Sequence, residues 1–133
     1  MAILEILEQA PRNTWTGIYV RILACILMYG AVVHVGNIAG WSGTKWVETP
    51  VLWRVMDVVL LVFNVVVALA LWFRLSWSIT AFIIGIIALQ LIPYTVFRSQ
   101  FIETPSQAQA LNGLIATHLI LLSILAGLIL LRK

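Results

Sequence analysis

Long apolar runs separated by short polar segments dominate the chain. Four such runs cover about residues 17–39, 51–73, 76–97 and 110–131. Each run is close to the ~20 residues that a helix needs to cross ~30 Å of hydrocarbon. Apolar and polar positions do not alternate within the runs, so the pattern favours helices over a transmembrane β-barrel. The sequence therefore predicts an all-α integral membrane protein with four transmembrane spans.

The connections between the runs are short and rich in turn-forming residues. They lie at residues 40–50, 73–76 and 99–109. Short connections force neighbouring helices to run antiparallel. We therefore expect one membrane domain over residues 1–133, folded as an up-down four-helix bundle with both termini on the same side.

The pattern of the first 13 residues predicts a short amphipathic lead-in segment, which ends at Pro11. Its apolar side consists of Ile3, Leu4, Ile6 and Leu7. Glu5 and Glu8 lie on the other side, and no basic segment precedes a short apolar core, so the segment does not have the pattern of a signal peptide.

The composition supports a membrane protein independently of the periodicity. Hydrophobic residues make up 62% of the 133 residues and charged residues only 10%, whereas soluble domains have about 45–50% and about 25%. A domain this small cannot bury so much apolar surface, so the excess must face lipid. The basic residues are scattered, which argues against a nucleic-acid surface. Cys25 is the only cysteine, so the chain has neither an internal disulfide nor a CxxC motif.

Tryptophan and charge patterns orient the predicted bundle. The tryptophans fall into two groups, one at each predicted membrane interface: Trp15, Trp72 and Trp77, and Trp41, Trp46 and Trp53. Five basic residues lie on the side of the termini and three on the other: Arg12, Arg21, Arg74, Arg132 and Lys133 against Lys45, Arg54 and Arg98. By the positive-inside rule, both termini are expected in the cytoplasm, and the protein in a bacterial cytoplasmic (inner) or photosynthetic membrane.

Each predicted span carries one strongly polar residue in its outer half. These residues are His34, Asp57, Gln90 and His118, at about 9–12 Å from the outer face by helical rise. Intramembrane polar groups are costly and are functional candidates by default. We expect a polar pocket between the helices, with Tyr94 on the same face as Gln90 and with Asp57 contacting His34 or Gln90. The alternative is that these groups only satisfy one another through interhelical hydrogen bonds.

The fourth predicted span carries two features on different faces. Ala116, Ser123 and Gly127 form a stripe of small residues suited to close helix contact. His118 lies about 140° or more away from this stripe. If the stripe packs inside the bundle, His118 faces outward; if His118 faces the pocket, the stripe is free to pack on another subunit.

Several of these features resemble the DoxX-like family of small four-helix membrane proteins. They are a first span with Arg21, Gly30 and His34, a Gly/Trp-containing outer loop, a tight aromatic–Arg turn after the second span, and a basic end of the fourth. The resemblance implies a bundle in the cytoplasmic membrane that is linked with quinone-coupled sulfur oxidation or with membrane oxidoreductase assemblies. The chain has no CxxC motif, so the resemblance does not extend to thiol chemistry by this chain itself.

Three functions are compatible with these observations. The first is a non-catalytic accessory or assembly subunit of a larger membrane complex, redox or energy-converting, with other membrane subunits or a second copy as partner. The second is binding of a quinone or another lipophile by His34, Asp57, Gln90 and Tyr94. The third is ligation of a haem or a chlorophyll through His34 and His118. Hydrolytic catalysis has no signature here, so catalytic residues are not assigned and an enzyme is not the leading interpretation.

Overall fold

Four helices in the chain are long and apolar enough to cross a membrane. The computed structural model describes residues 2–133, which are helical with turns and loops and contain no strand. The four helices, here called the first to fourth spans, are Thr14–Ala39, Val51–Trp72, Ser78–Val96 and Pro105–Leu130. The prediction of an all-α fold is therefore confirmed.

The fourth span begins earlier than the apolar run indicates, at Pro105 instead of about residue 110. The cause is a capping box. The side chain of Thr104 accepts a hydrogen bond from the Gln107 backbone N–H at 3.3 Å, and Gln107 Oε1 accepts one from the Thr104 N–H at 3.0 Å. Proline suits the first position of a helix because its missing N–H would have no partner there. A polar segment thus extends the helix by more than a turn.

The third span is not a regular α-helix. An α-helix over Ser78–Ile86 passes into a π-helix over Ile87–Leu91 and returns to an α-helix over Ile92–Val96. Proline cannot donate to the carbonyl one turn before it, and its ring crowds that carbonyl. The wider π turn lies directly before Pro93. The hydroxyl of Thr95 donates to the Leu91 carbonyl at 2.6 Å. A short helix over Arg98–Phe101 follows.

Hydrogen bonds between the ends of the helices show that neighbouring spans run antiparallel. The Arg21 Nε at the start of the first span donates to the Trp72 carbonyl at the end of the second, at 3.3 Å. The Trp15 backbone N–H donates to the carbonyl of Lys133 at 2.6 Å. At the opposite end, Trp53 Nε1 donates to the Phe101 carbonyl at 3.1 Å. We call this opposite end, which holds residues 40–50 and 97–104, the distal end.

Two buried apolar clusters hold the helices together. The larger lies toward the chain termini and includes Val20, Leu23, Leu71, Ile79 and Ile86. The smaller lies at the distal end and consists of Met56, Leu60, Tyr94, Phe101 and Leu111. The spans do not share this burial equally. The most apolar windows of the first three spans are 33–44% buried, whereas that of the fourth span is only 6% buried. The fourth span is therefore the least buried of the four.

The N-terminal segment forms a helix over Ala2–Gln9 and a 3-10 turn over Ala10–Arg12. Met1 lies outside the described residues. Leu7 packs against the larger cluster, whereas Ile3 is 72% exposed. The predicted amphipathic lead-in is thus helical, with only part of its apolar side used inside the protein.

Gly85 offers a test of the contact between the second and third spans. A Cβ atom added there would lie 1.9 Å from Cε2 of Phe63, so the Phe63 ring packs directly on the glycine backbone. We expect Gly85→Ala to displace that ring and destabilise the protein by about 1–3 kcal/mol, the usual cost of overpacking a core. Thermal unfolding in mild detergent, followed by circular dichroism, measures the effect.

Gly113→Ala is the matched control for this substitution, because an added Cβ there meets no atom within 4 Å. Alanine is also the better helix former. The control should unfold at or slightly above the parent temperature. Equal midpoints for both variants would contradict the close contact between Gly85 and Phe63.

Candidate functional site

The carboxylate of Asp57 is the centre of a polar cluster at the distal end. Asp57 is 7% exposed and lies on the second span. Its Oδ1 is 2.8 Å from His34 Nδ1 and accepts from Asn37 Nδ2 at 3.0 Å. Its Oδ2 accepts from Trp46 Nε1 at 3.0 Å. An ionised carboxylate only accepts hydrogen bonds, so Nδ1 of His34 carries the hydrogen in this contact.

Helical spacing explains why the first span supplies two of these donors. His34 and Asn37 are three residues apart and lie on one face of the helix. Gly30 is on the same face one turn earlier, and an added Cβ there would lie 2.7 Å from Nδ2 of Asn64. The first and second spans therefore meet along a seam that is polar at two levels, with Asp57 nearer the distal end and Asn64 deeper.

The third donor comes from the loop that follows the first span. A 3-10 helix over Trp46–Glu48 brings the Trp46 indole over the second span. The guanidinium carbon of Arg54 lies 5.9 Å from the centre of the Trp46 ring. In the described part of the chain, the one contact within 4 Å between an acidic and a basic side chain is that of Asp57 with His34. Arg54 thus stacks on Trp46 and does not pair with the carboxylate one turn away.

A cavity of about 680 Å³ opens at the distal end, and Asp57 lies on its wall. The lining comes from the first and second spans, the loop between them and the start of the fourth span. It consists of Asn37, Ser42, Thr44, Thr49, Trp53, Asp57, Ser106, Gln107 and Ala110. Asp57 is the only charged residue in this set. The volume is in the range of cavities that hold small organic molecules.

Gln90 and Tyr94 do not line this cavity, in contrast to the single pocket expected from the sequence. Gln90 lies in the π-helix and is 5% exposed. Tyr94 is 3% exposed and packs edge-on against Phe101, with ring centres 5.2 Å apart. The early start of the fourth span explains the difference, because Ser106 and Gln107 form part of the wall on that side.

The two histidines have different surroundings and do not lie at one level. His118 is 8% exposed, and its Nδ1 is 2.6 Å from the Leu114 carbonyl of its own helix. His34 contacts Asp57, and Leu111 packs with Met56, the neighbour of Asp57, in the smaller cluster. His118 follows Leu111 by seven residues, about 10 Å further from the distal end. The geometry therefore does not favour His34 and His118 as the two axial ligands of one haem.

The structure resolves the alternative left open for the fourth span. His118 is in a buried row with Leu111 and Leu125, at intervals of seven residues. Ala116 and Ser123 are exposed. An added Cβ on Gly127 would meet no atom within 4 Å. His118 thus faces the bundle, and the stripe of small residues faces outward.

Sequence reasoning missed part of the cluster and most of the cavity wall. The sequence indicates Asn37 as a further candidate, because it lies on the same helical face as His34. Trp46 was assigned to an interfacial belt, and its hydrogen bond to Asp57 depends on the fold of an irregular loop. The hydroxyl groups of the wall come from loop and helix-start residues, for which spacing along the chain predicts no common location.

Comparison with known proteins places the chain in one family. A family model with the description "Family of unknown function (DUF6163)" matches residues 14–129. No curated protein matches the chain. No solved structure matches it either.

Replacing Asp57 by Asn tests the cluster. An amide offers one acceptor oxygen and one NH2 group, so the acceptor that faces the Trp46 indole becomes neutral. Hydrogen bonds to charged groups contribute about 1.5–3 kcal/mol and those between neutral groups about 0.5–1.5 kcal/mol, so the bond of Trp46 is weakened. We expect faster hydrogen–deuterium exchange over residues 41–49 in Asp57→Asn, since the Trp46 anchor is weakened.

Glu48→Gln is the control for this measurement, because Glu48 is exposed in the same loop. It should exchange like the parent. Unchanged exchange in Asp57→Asn would show that the carboxylate does not hold the loop.

Proposed function

We propose that this chain, which belongs to the DUF6163 family, is a small non-catalytic membrane subunit that works packed against another membrane protein. The observation that carries the proposal is the outward stripe of small residues on the fourth span. That helix is the least buried of the four, with 6% of its most apolar window covered. The family match over residues 14–129 includes the stripe.

The proposed location is a bacterial cytoplasmic or photosynthetic membrane, with four crossings and both termini in the cytoplasm. Four apolar helices of sufficient length support a multi-pass protein. Trp15, Trp72 and Trp77 are exposed at the end of the bundle that holds the termini, and Trp41 is exposed at the distal end. Indole side chains prefer the headgroup region, so two such levels suit the two faces of a bilayer.

The outward stripe suits a transmembrane helix as partner. Gly113, Ala116, Ser123 and Gly127 lie along one side of the fourth span, with Gly113, Ala116 and Ser123 exposed and Gly127 half-exposed. Lipid tails are as apolar as leucine, so helices in a membrane associate mainly through close contact and hydrogen bonds. Small residues permit that approach. The resemblance to DoxX-like proteins suggests a redox or energy-converting complex as the source of the partner, and this assignment is a proposal.

A second candidate function is binding of a quinone or another lipophile near Gln90 and Tyr94. The observation in its favour is the π-helix over Ile87–Leu91, which contains Gln90. Single π turns inside α-helices are frequent at functional sites. A buried amide and a buried phenol can both donate to a quinone carbonyl. In this proposal the site lies within the bundle and is separate from the distal cavity.

Cysteine labelling tests the proposed orientation. In a Cys25→Ser background, Thr44→Cys and Ser106→Cys should react with an impermeant maleimide added outside intact cells. Ser76→Cys, in the turn at the other end, should react only after the membrane is opened. The reverse pattern would place the termini outside.

A larger side chain on the outward stripe tests the proposed association. Gly127→Leu should weaken association while the spans remain inserted, because leucine favours insertion. Native mass spectrometry and gel filtration, in mild detergent and in nanodiscs, measure the oligomeric species and the co-purified subunits. Cys25→Leu is the control, since Cys25 is exposed on the first span.

The control should behave like the parent in both media. A parent that is strictly monomeric and without companions, with Gly127→Leu indistinguishable from it, would remove the basis for a subunit role. Species containing only this chain would identify a second copy as the partner.

A further inference from the structure

We propose that the distal cavity binds an organic ammonium group through the carboxylate of Asp57. The cavity lies at the distal end, where the first, second and fourth spans meet the loop over residues 40–50. The proposal does not depend on the subunit role, because the outward stripe of the fourth span faces away from the bundle.

The charge balance of the site favours a cation. Asp57 is the only charged residue on the cavity wall. The indole of Trp46 and the amide of Asn37 satisfy part of its acceptor capacity but bring no positive charge. Arg54, the nearest arginine along the helix, stacks on Trp46 instead. A buried charge without a counter-charge is costly, and a ligand cation removes that cost.

Among residues 2–133, His34 is the one basic side chain within 4 Å of the Asp57 carboxylate, and it competes for this role. A neutral His34 donates its hydrogen bond to Oδ1 and leaves the carboxylate charge for the ligand. A protonated His34 also donates through Nδ1–H and neutralises the carboxylate itself. With a neutral His34 the site should bind a cationic ligand, whereas with a protonated His34 it should not.

The rest of the wall is suited to an ammonium group with a short polar chain. Four residues with hydroxyl groups line the same cavity as the carboxylate, and their oxygens can accept N–H donors: Ser42, Thr44, Thr49 and Ser106. The indole of Trp53 forms an apolar part of the wall, and such a ring attracts a cation to its face. Its Nε1 donates to the Phe101 carbonyl at 3.1 Å, and Phe101 packs edge-on against it at 5.6 Å between ring centres. The aromatic part of the wall is therefore held in place.

A bare metal ion fits the site less well. Metal sites need several His, Cys or carboxylate ligands around one point. Within residues 2–133 no group of three such side chains comes together. A cavity of about 680 Å³ also exceeds what one ion and its ligands occupy and matches a small organic molecule.

The ammonium group has two sources with the same chemistry. One is a free small amine, for which ethanolamine is the probe. The other is the headgroup of phosphatidylethanolamine, since the cavity lies at the end of the spans, where the proposed membrane placement puts lipid headgroups.

Equilibrium dialysis of labelled ethanolamine against the protein in phosphatidylglycerol nanodiscs tests the free amine. We expect one saturable site per chain, with ethylene glycol unable to compete because it lacks the charge. Asp57→Asn should bind at least about tenfold more weakly, since a hydrogen bond to a charged group is lost. Glu103→Gln, which removes an exposed carboxylate at the same end, should bind like the parent.

Ser106→Trp distinguishes a loss of binding caused by blocking the cavity from one caused by unfolding. The residue is exposed on the cavity wall, so the indole should fill the opening and abolish binding without touching the carboxylate. Ser76→Trp, at the other end of the bundle, is its control. Circular dichroism checks that each variant is helical.

Native mass spectrometry from phosphatidylethanolamine nanodiscs tests the lipid source. A lipid adduct that is retained by the parent and Glu103→Gln, but lost in Asp57→Asn and Ser106→Trp, supports the proposal with the headgroup as ligand. Absence of both ethanolamine binding and the lipid adduct in the parent would overturn it and favour His34 as the counter-charge. Equal binding by the parent, Asp57→Asn and Ser106→Trp would overturn it as well.

Discussion

A carboxylate that is almost completely buried needs hydrogen-bond donors, and the distal end of this protein is organised around that requirement. Asp57 receives its donors from the first span and from the loop that follows it. The same contacts therefore join two helices and fix the loop above them. Because Trp46 is held in this way, its ring is available to Arg54, and loop residues on either side of it form one wall of a cavity.

Much of the fold was predictable because long apolar runs admit few alternatives, and the four runs correspond to four helices. The contact between His34 and Asp57 also agrees with the expectation, since antiparallel neighbours bring residues near the same end together. The features that the sequence did not predict depend on local hydrogen bonds of the backbone and on the tertiary fold. The capping box at Thr104 extends the fourth span into a polar segment. The cavity wall combines loop and helix-start residues, whose meeting depends on the tertiary fold.

The two ends of the bundle differ in what holds them together. Toward the termini the larger apolar cluster includes side chains from the first three spans and from Leu125 and Ile129 of the fourth. At the distal end the apolar cluster is small, and the hydrogen bonds of Asp57 and Trp53 account for more of the contacts between the elements. Such bonds are directional, so this end combines a defined shape with an open cavity.

The π-helix over Ile87–Leu91 has a consequence for comparing the third span with related sequences. A π turn accommodates one residue more than an α turn, so positions beyond it are rotated by about 100° relative to an uninterrupted α-helix. Removing one residue from this segment would restore the α-helix and leave Tyr94 on its buried face, because the wide turn absorbs the extra residue. Relatives with a one-residue gap here would therefore present equivalent side chains to the interior, whereas an alignment without the gap would pair residues that lie on different faces. Alignment columns after residue 91 should be assigned by burial rather than by counting.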